Sequence, residues 1–237
     1  MKYFEFLPKT NINGIVPPGL DGTHVIGKEK FFDNGKCGPD QFYNKNYAFD
    51  YLKPLEFGAG REDEVSEAIY DYHLWFGESP LGGWLKPISS KFKEVLTKFN
   101  LGPHSFYPAW VLFRGEKYPY YVLQIFQNYY QEFIDFEKTI FNNLNSSRNL
   151  GDREFETKLF SSIQDVRDYS RTNWGSGINW NYERIVMKPG FKELDFVTLF
   201  KFGDLISERL KNAIEDVGLT GIEFKELPIP IEFSDEV

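Results

Sequence analysis

The sequence predicts an α+β fold, with a mixed or antiparallel sheet and a helix–strand unit that occurs twice. Three observations predict it. First, a segment recurs 118 positions on: ISSKFKEVLTKFNLGPHSF spans 88–106 and ISERLKNAIEDVGLTGIEF spans 206–224. Second, strand-like and helix-like stretches mix without the regular alternation of a parallel βαβ fold. Third, two strand-like runs meet at the turn RGEKYP, the pattern of a hairpin.

In chain order, Met1–Leu7 reads as a strand, and Tyr47–Leu52 as another within a Gly-, Pro- and Asn-rich stretch of turns. Arg61–Trp75 reads as a helix. Glu62, Asp63 and Glu64 complement the dipole of its first turn, and Val65, Ile69 and Tyr72 form its buried side. GESPLGG at 77–83 is a loop and the candidate boundary between a segment 1–80 and a region 81–237, the alternative being one compact domain. The first repeat copy follows as a helix over 90–99 and a strand over 105–114, and Tyr120–Phe126 returns as its hairpin partner. Residues 142–153 are a polar loop, Phe155–Tyr169 a helix, 171–182 a Gly/Asn/Trp loop, and Glu183–Met187 and Phe196–Phe202 strands. The second repeat helix spans 204–217 with Asp204 as N-cap. Its strand spans 221–227, and PIPIEFSDEV is an acidic tail.

Within the repeat, Ile88/Ile206, Ser89/Ser207, Lys93/Lys211, Leu101/Leu219 and Phe106/Phe224 are identical in type. The apolar positions Phe92/Leu210, Val95/Ala213, Leu96/Ile214 and Phe99/Val217 follow i, i+3, i+4, i+7 spacing, the buried stripe of a helix. Asn100 and Gly218 then occupy the same place. Both residue types tolerate the left-handed conformation that stops helices.

Composition narrows the function. The 237 residues bury a sizeable core, and 41% hydrophobic with 26% charged is ordinary for a globular chain. Net charge is −8, which argues against nucleic acid as a partner and favours a basic one. The single cysteine, Cys37, excludes an intrachain disulfide. No signal-like or membrane-length apolar run occurs, so a cytoplasmic protein that spans no membrane is expected.

Chemistry-bearing motifs are sparse, and neither a cofactor nor a metal is expected. His24, His73 and His104 show no metal-ligand spacing, and nothing local pairs Cys37 with a histidine. FGAG at 57–60 lacks the full phosphate-loop pattern, and the acidic residues after it would repel phosphate. The carboxylate pairs Glu132/Asp135 and Glu215/Asp216 read as surface charge, because glycosidase chemistry needs carboxylates opposed across a cleft. The stretch 171–182 is the most unusual. Trp174 and Trp180 flank GSGIN beside Asn173, Asn179 and Asn181. Its tryptophans plug the core, anchor a protein partner or stack on sugar. Glu208, Glu215 and Asp216 lie off the apolar stripe of the second helix.

The two copies together carry a resemblance. SERLKNAIEDVGLTGIEFKELP, with ISSKFKEVLTKFNLGPHSFYP before it, resembles the paired signature of a family of bacterial immunity proteins from polymorphic toxin systems. YYVLQIFQNYYQEFIDFEKTIF is similar to that family's strand followed by an Ile-Asp-aromatic segment. Here the segment is Ile134-Asp135-Phe136, with Phe136 where the family pattern has tryptophan. The resemblance covers Trp84 to Pro228 and leaves 1–80 uncovered. It implies a non-enzymatic inhibitor that occludes a cognate, basic toxin domain. The tryptophan stretch and the outer face of the second repeat helix then supply Trp174, Trp180, Glu208, Glu215 and Asp216 as the expected partner-binding residues. The alternative is a carbohydrate-active hydrolase or carbohydrate-binding protein that uses acidic and Trp side chains.

Overall fold

The structure, a computed structural model, describes residues 1–9, 20–26, 55–59, 69–72, 75–76, 85–113, 115–143, 156–172 and 180–236. Its strands are β1 (Tyr3–Pro8), β2 (Leu20–Ile26), β3 (Leu55–Ala59), β4 (Trp75–Phe76), β5 (Leu85–Ser89), β6 (His104–Phe113), β7 (Glu116–Ile125), β8 (Ile140–Asn142), β9 (Thr157–Lys158), β10 (Asn181–Met187), β11 (Phe196–Leu199), β12 (Gly203–Ser207), β13 (Ile222–Glu226) and β14 (Ile231–Phe233). The helices are α1 (Ser90–Leu96), α2 (Gln127–Gln131), α3 (Ile163–Thr172) and α4 (Glu208–Val217). Three sheets form among them, ordered β4-β2-β3-β6-β7-β5, β11-β12-β1-β13 and β14-β10-β8-β9. Most strand pairs are antiparallel, and the fold is α+β with the helix–strand unit duplicated.

The duplication goes further than the repeated segment. In each copy a strand leads into a serine that caps the helix. Ser89 accepts from Phe92 N–H at 3.0 Å, and Ser207 accepts from Leu210 N–H at 3.2 Å. Each copy also contains a neighbouring strand of different origin. β5 pairs with β7, placing Ser89 opposite Tyr120, and β12 pairs with β1, placing Ser207 opposite Tyr3. The strand after each helix completes the triplet, with Phe106 opposite Leu123 in one copy and Phe224 opposite Phe6 in the other. Thus β1, at the chain's start, plays in the second unit the part that the hairpin strand β7 plays in the first.

Side chains repeat the equivalence. Tyr120 Oη donates to the Tyr70 carbonyl at 2.5 Å, and Tyr3 Oη donates to the Leu194 carbonyl at 2.8 Å. The next residue is an aspartate in both cases. Ser89 Oγ donates to Asp71 at 2.6 Å, and Ser207 Oγ to Asp195 at 2.5 Å. Each aspartate then holds the loop after the opposite helix. Asp71 accepts from Thr220 N–H at 2.8 Å, and Asp195 accepts from Asn100 N–H at 2.9 Å. The clamp is therefore crossed, and neither helix stop is complete without the other unit. Lys93 lies over the rings of Tyr121 and Phe106, as Lys211 lies over Phe4 and Phe224. Equivalent positions also meet one another: Lys86 of β5 pairs with Asp204 of β12 at 2.8 Å, both largely buried.

The core fills the space around this pseudo-dyad. Phe6 packs against Tyr72, Phe92 and Phe196, drawing on both units. The strands between the units, β8, β9 and β10, build the third sheet with β14 from the chain's end, and α3 lies over an aromatic cluster of Phe141, Phe160, Trp180 and Tyr182.

Several expectations are corrected. Ile69–Tyr72 is not the end of a helix. Asp71 and Tyr72 are drawn into bonds with Thr220 and Ser89, and Tyr72 bridges Ile88, so tertiary pairing overrides the helical pattern; 61–68 lies outside the described residues. The expected strand at 47–52 also lies outside them. The left-handed stop occurs at Gly218 (φ 68°) but not at Asn100. Asn100 is held by Asp195, and the positive φ falls on Gly102 instead. The helix expected from Phe155 starts only at Ile163. Asp204 is not an N-cap but a strand residue, since Leu205 and Ile206 are fully buried in β12 and Ser207 supplies the cap. The acidic tail docks as β14. Phe233 is buried, and Arg184 Nη2 bonds Glu232 at 2.6 Å. β1 sits between β12 and β13, and β3 pairs with β6.

Candidate functional site

Two surfaces carry the candidate site residues. One is the solvent face of α4. Leu210 and Ile214 point into the core, so Glu208, Asn212, Glu215 and Asp216 fall on the outer side and are exposed. Arg209 is tied back to the Asp195 carboxylate and to the Glu193 carbonyl at 3.0 Å. Lys211 bonds Glu215 at 2.7 Å. Asp216 makes no ion pair among the described residues. Glu215 and Asp216 occupy the last turn, where the dipole disfavours negative charge. Lys91, from α1, offsets part of this by donating to the Val217 carbonyl at 3.0 Å. A local rule broken with only partial compensation marks a candidate for function.

The other surface is a cleft of about 410 Å³ between the second and third sheets. Glu5 of β1 stands on one side and Asn142, Asn181 and Glu183 on the other. Its aromatic wall is Tyr182 stacked on Phe202, ring centroids 5.4 Å apart and planes within 4°. Tyr182 Oη is buried and makes no hydrogen bond, and burial raises its pKa. At the rim Lys201 is the only described non-glycine residue with positive φ, at 71°. Its ammonium lies 5.1 Å from the Phe200 ring centroid, and partial burial lowers its pKa. Left-handed backbone costs a side chain-bearing residue about 1 kcal/mol. Lys201→Gly is therefore expected to be near neutral to stabilising by at most about 0.6 kcal/mol in chemical denaturation, because glycine's larger unfolded-state entropy offsets about 0.4–1 kcal/mol of the relieved strain; clear destabilisation would show that Lys201 contacts outweigh the backbone strain.

The expected site residues divide. Glu208, Glu215 and Asp216 are exposed on one helix face. Trp180 is corrected: it is 0% exposed, edge-on to Phe160 and Tyr169, and offers nothing to a partner. Trp174 lies outside the described residues, as do His73 and Cys37. His104 is structural, with Nδ1 2.8 Å from the Gly102 carbonyl oxygen and its ring against Phe106. Phe57, Gly58 and Ala59 of FGAG belong to β3. Glu132 and Asp135 do not oppose each other across a cleft. Asp135 lines a broad, open hollow with Glu137 and Lys188, and Glu132 does not. Among the described residues no group of three or more His, Cys, Asp or Glu side chains could hold a metal ion, and no helix is long and apolar enough to cross a membrane. Sequence reasoning missed the cleft because Glu5 and Glu183 come from strands at opposite ends of the chain. Only the pairing of β1 with the second repeat unit brings them near.

No family model matches the chain, and no curated protein matches it significantly.

Proposed function

We propose that this chain is an immunity protein: it binds a cognate, basic toxin domain one to one and blocks it sterically, with no catalysis of its own. The observation that carries the reading is the division of labour in the Ser-Glu-Arg-Leu stretch. Ser207 caps, Arg209 clamps and Leu210 packs, so three of the four residues that resemble the family serve the frame. The same helix leaves Glu208, Glu215 and Asp216 facing solvent. A rigid frame carrying a charged face suits recognition, because a preformed surface loses little entropy on binding. Negative charge on it steers a basic partner and raises the association rate. Tight inhibition calls for a standard interface, about 1,600 Å² in total.

The test is co-expression with the genes that flank its own, followed by purification of the complex and a growth-protection assay. Recovery of one toxin domain at equal stoichiometry, with protection of the host, is the expected result. A flanking toxin that is neither bound nor neutralised would end this reading. A sharper arm uses Asp216→Asn. Removing the charge at the helix C-terminus is expected to raise stability by about 0.5 kcal/mol, while slowing toxin association several-fold at low salt. A residue kept only for the fold would not show those opposite signs.

A further inference from the structure

We propose that the cleft between Glu5 and Glu183 is the docking pocket for an arginine side chain of the partner protein. This rests on the reading that the chain binds a basic protein, and it names the chemistry of the contact. Glu5 and Glu183 line the cleft from two different sheets, and neither makes an ion pair among the described residues. The one lysine at the rim carries its ammonium over Phe200, which does not line the cleft. The cleft therefore presents two carboxylates against the one ammonium of Lys201, a net negative charge, with Asn181 beside them.

A guanidinium satisfies this set better than an ammonium does. It is planar, donates through five N–H groups in a fixed fork, and bonds carboxylates in pairs. It also stacks on aromatic faces. Phe202 supplies a ring that is half-buried and braced from behind by the parallel ring of Tyr182. Bracing fixes the ring plane before the ligand arrives, so little side-chain freedom is lost on binding. A volume of about 410 Å³ falls in the range of pockets that hold small ligands, about 300–1,000 Å³, and leaves room for the flanking chain.

The experiment is an NMR titration of the isotope-labelled full chain with arginine amide, citrulline amide and a neutral disaccharide. Citrulline keeps the shape and removes the charge. Saturable shifts at Asn181 and Phe202 are expected with arginine amide, with at least about tenfold weaker binding for citrulline amide. The shifts are expected to vanish in E5Q/E183Q, whose spectrum elsewhere reports whether it folds; the exposed Glu183→Gln alone serves if the double variant does not. Equal binding of citrulline amide, absence of shifts, or shifts unchanged in the folded variant would overturn the proposal. Shifts with the disaccharide and none with arginine amide would assign the cleft to a saccharide instead. Failure is separable from that of the inhibitor reading. A toxin bound equally by E5Q/E183Q removes the pocket and leaves the inhibitor. Arginine amide binding in a chain with no toxin partner does the reverse.

Discussion

Lys86→Ala is expected to destabilise the fold by about 3–5 kcal/mol, the cost of stranding one member of a buried ion pair. Lys86 is 3% exposed and its Nζ lies 2.8 Å from Asp204, which also accepts from Thr198 at 2.7 Å. Removing the lysine leaves a carboxylate among buried strands with one hydroxyl to satisfy it. Asp204→Ala is expected to cost a similar amount. The informative variants are the double ones. Because breaking a pair is penalised by the charge left behind, Lys86→Met with Asp204→Leu is expected near neutrality or above wild type. Lys86→Asp with Asp204→Lys makes a separate point. The two positions are equivalent in the duplicated units, three residues before the capping serines Ser89 and Ser207. Each site therefore sits in a similar frame, and the exchanged pair is expected to recover more than half of the loss seen in either single change. Urea denaturation of these five proteins, with Lys86→Ala/Asp204→Ala added to close the double-mutant cycle, measures the coupling. An exchanged pair no more stable than the worse single variant would show that the two environments have diverged too far for the symmetry to matter energetically.

That pair also shows what a single chain gains from duplication. A true two-fold axis through these strands would bring two lysines, or two aspartates, together. Unequal residues at the equivalent positions turn repulsion into attraction. Like-charge contact disfavours association of two identical units, so the pair specifies that first unit meets second.

What could be read in the sequence follows from which interactions are local. Helix α4 was legible because its stripe of Leu210, Ala213 and Ile214 and its stop at Gly218 lie within a dozen residues. Its start was not. Leu205 and Ile206 suit a strand or a helix equally, and only Phe4 and Phe196 beside Ile206 decide for a strand. The repeat was legible as a segment, but its third strand was not. Tyr120 follows the first helix, whereas its equivalent Tyr3 precedes the second by some two hundred residues. A search at constant offset cannot see a unit whose parts are permuted. The aspartates Asp71 and Asp195 were hidden as well, since stretches of different length separate them from their serines. Of the candidate site, the acidic face of α4 was legible from helical periodicity. The cleft was not, because nothing in sequence relates Glu5 to Glu183.

Trp180→Ala is expected to destabilise by about 3–5 kcal/mol, the range for emptying a fully buried large aromatic site. The indole is 0% exposed and meets Phe160 at 5.4 Å and Tyr169 at 5.7 Å, both edge to face. It closes the cluster that joins α3 to the third sheet, so its loss opens a cavity whose walls belong to separate elements and cannot collapse together. Trp180→Phe is expected to cost much less, about 1–2 kcal/mol. Indole Nε1 is buried without a hydrogen-bond partner, so deleting it forfeits volume and no bond. The pairing of these two variants separates the interior role from the partner-binding role that the sequence suggests. An interior tryptophan predicts that toxin affinity per folded molecule is unchanged in Trp180→Phe, and that any loss of protection in Trp180→Ala tracks the unfolded fraction. If Trp180→Ala kept its denaturation midpoint and lost the toxin, the indole would have to leave the core to meet the partner, and the aromatic cluster would be part of the interface itself.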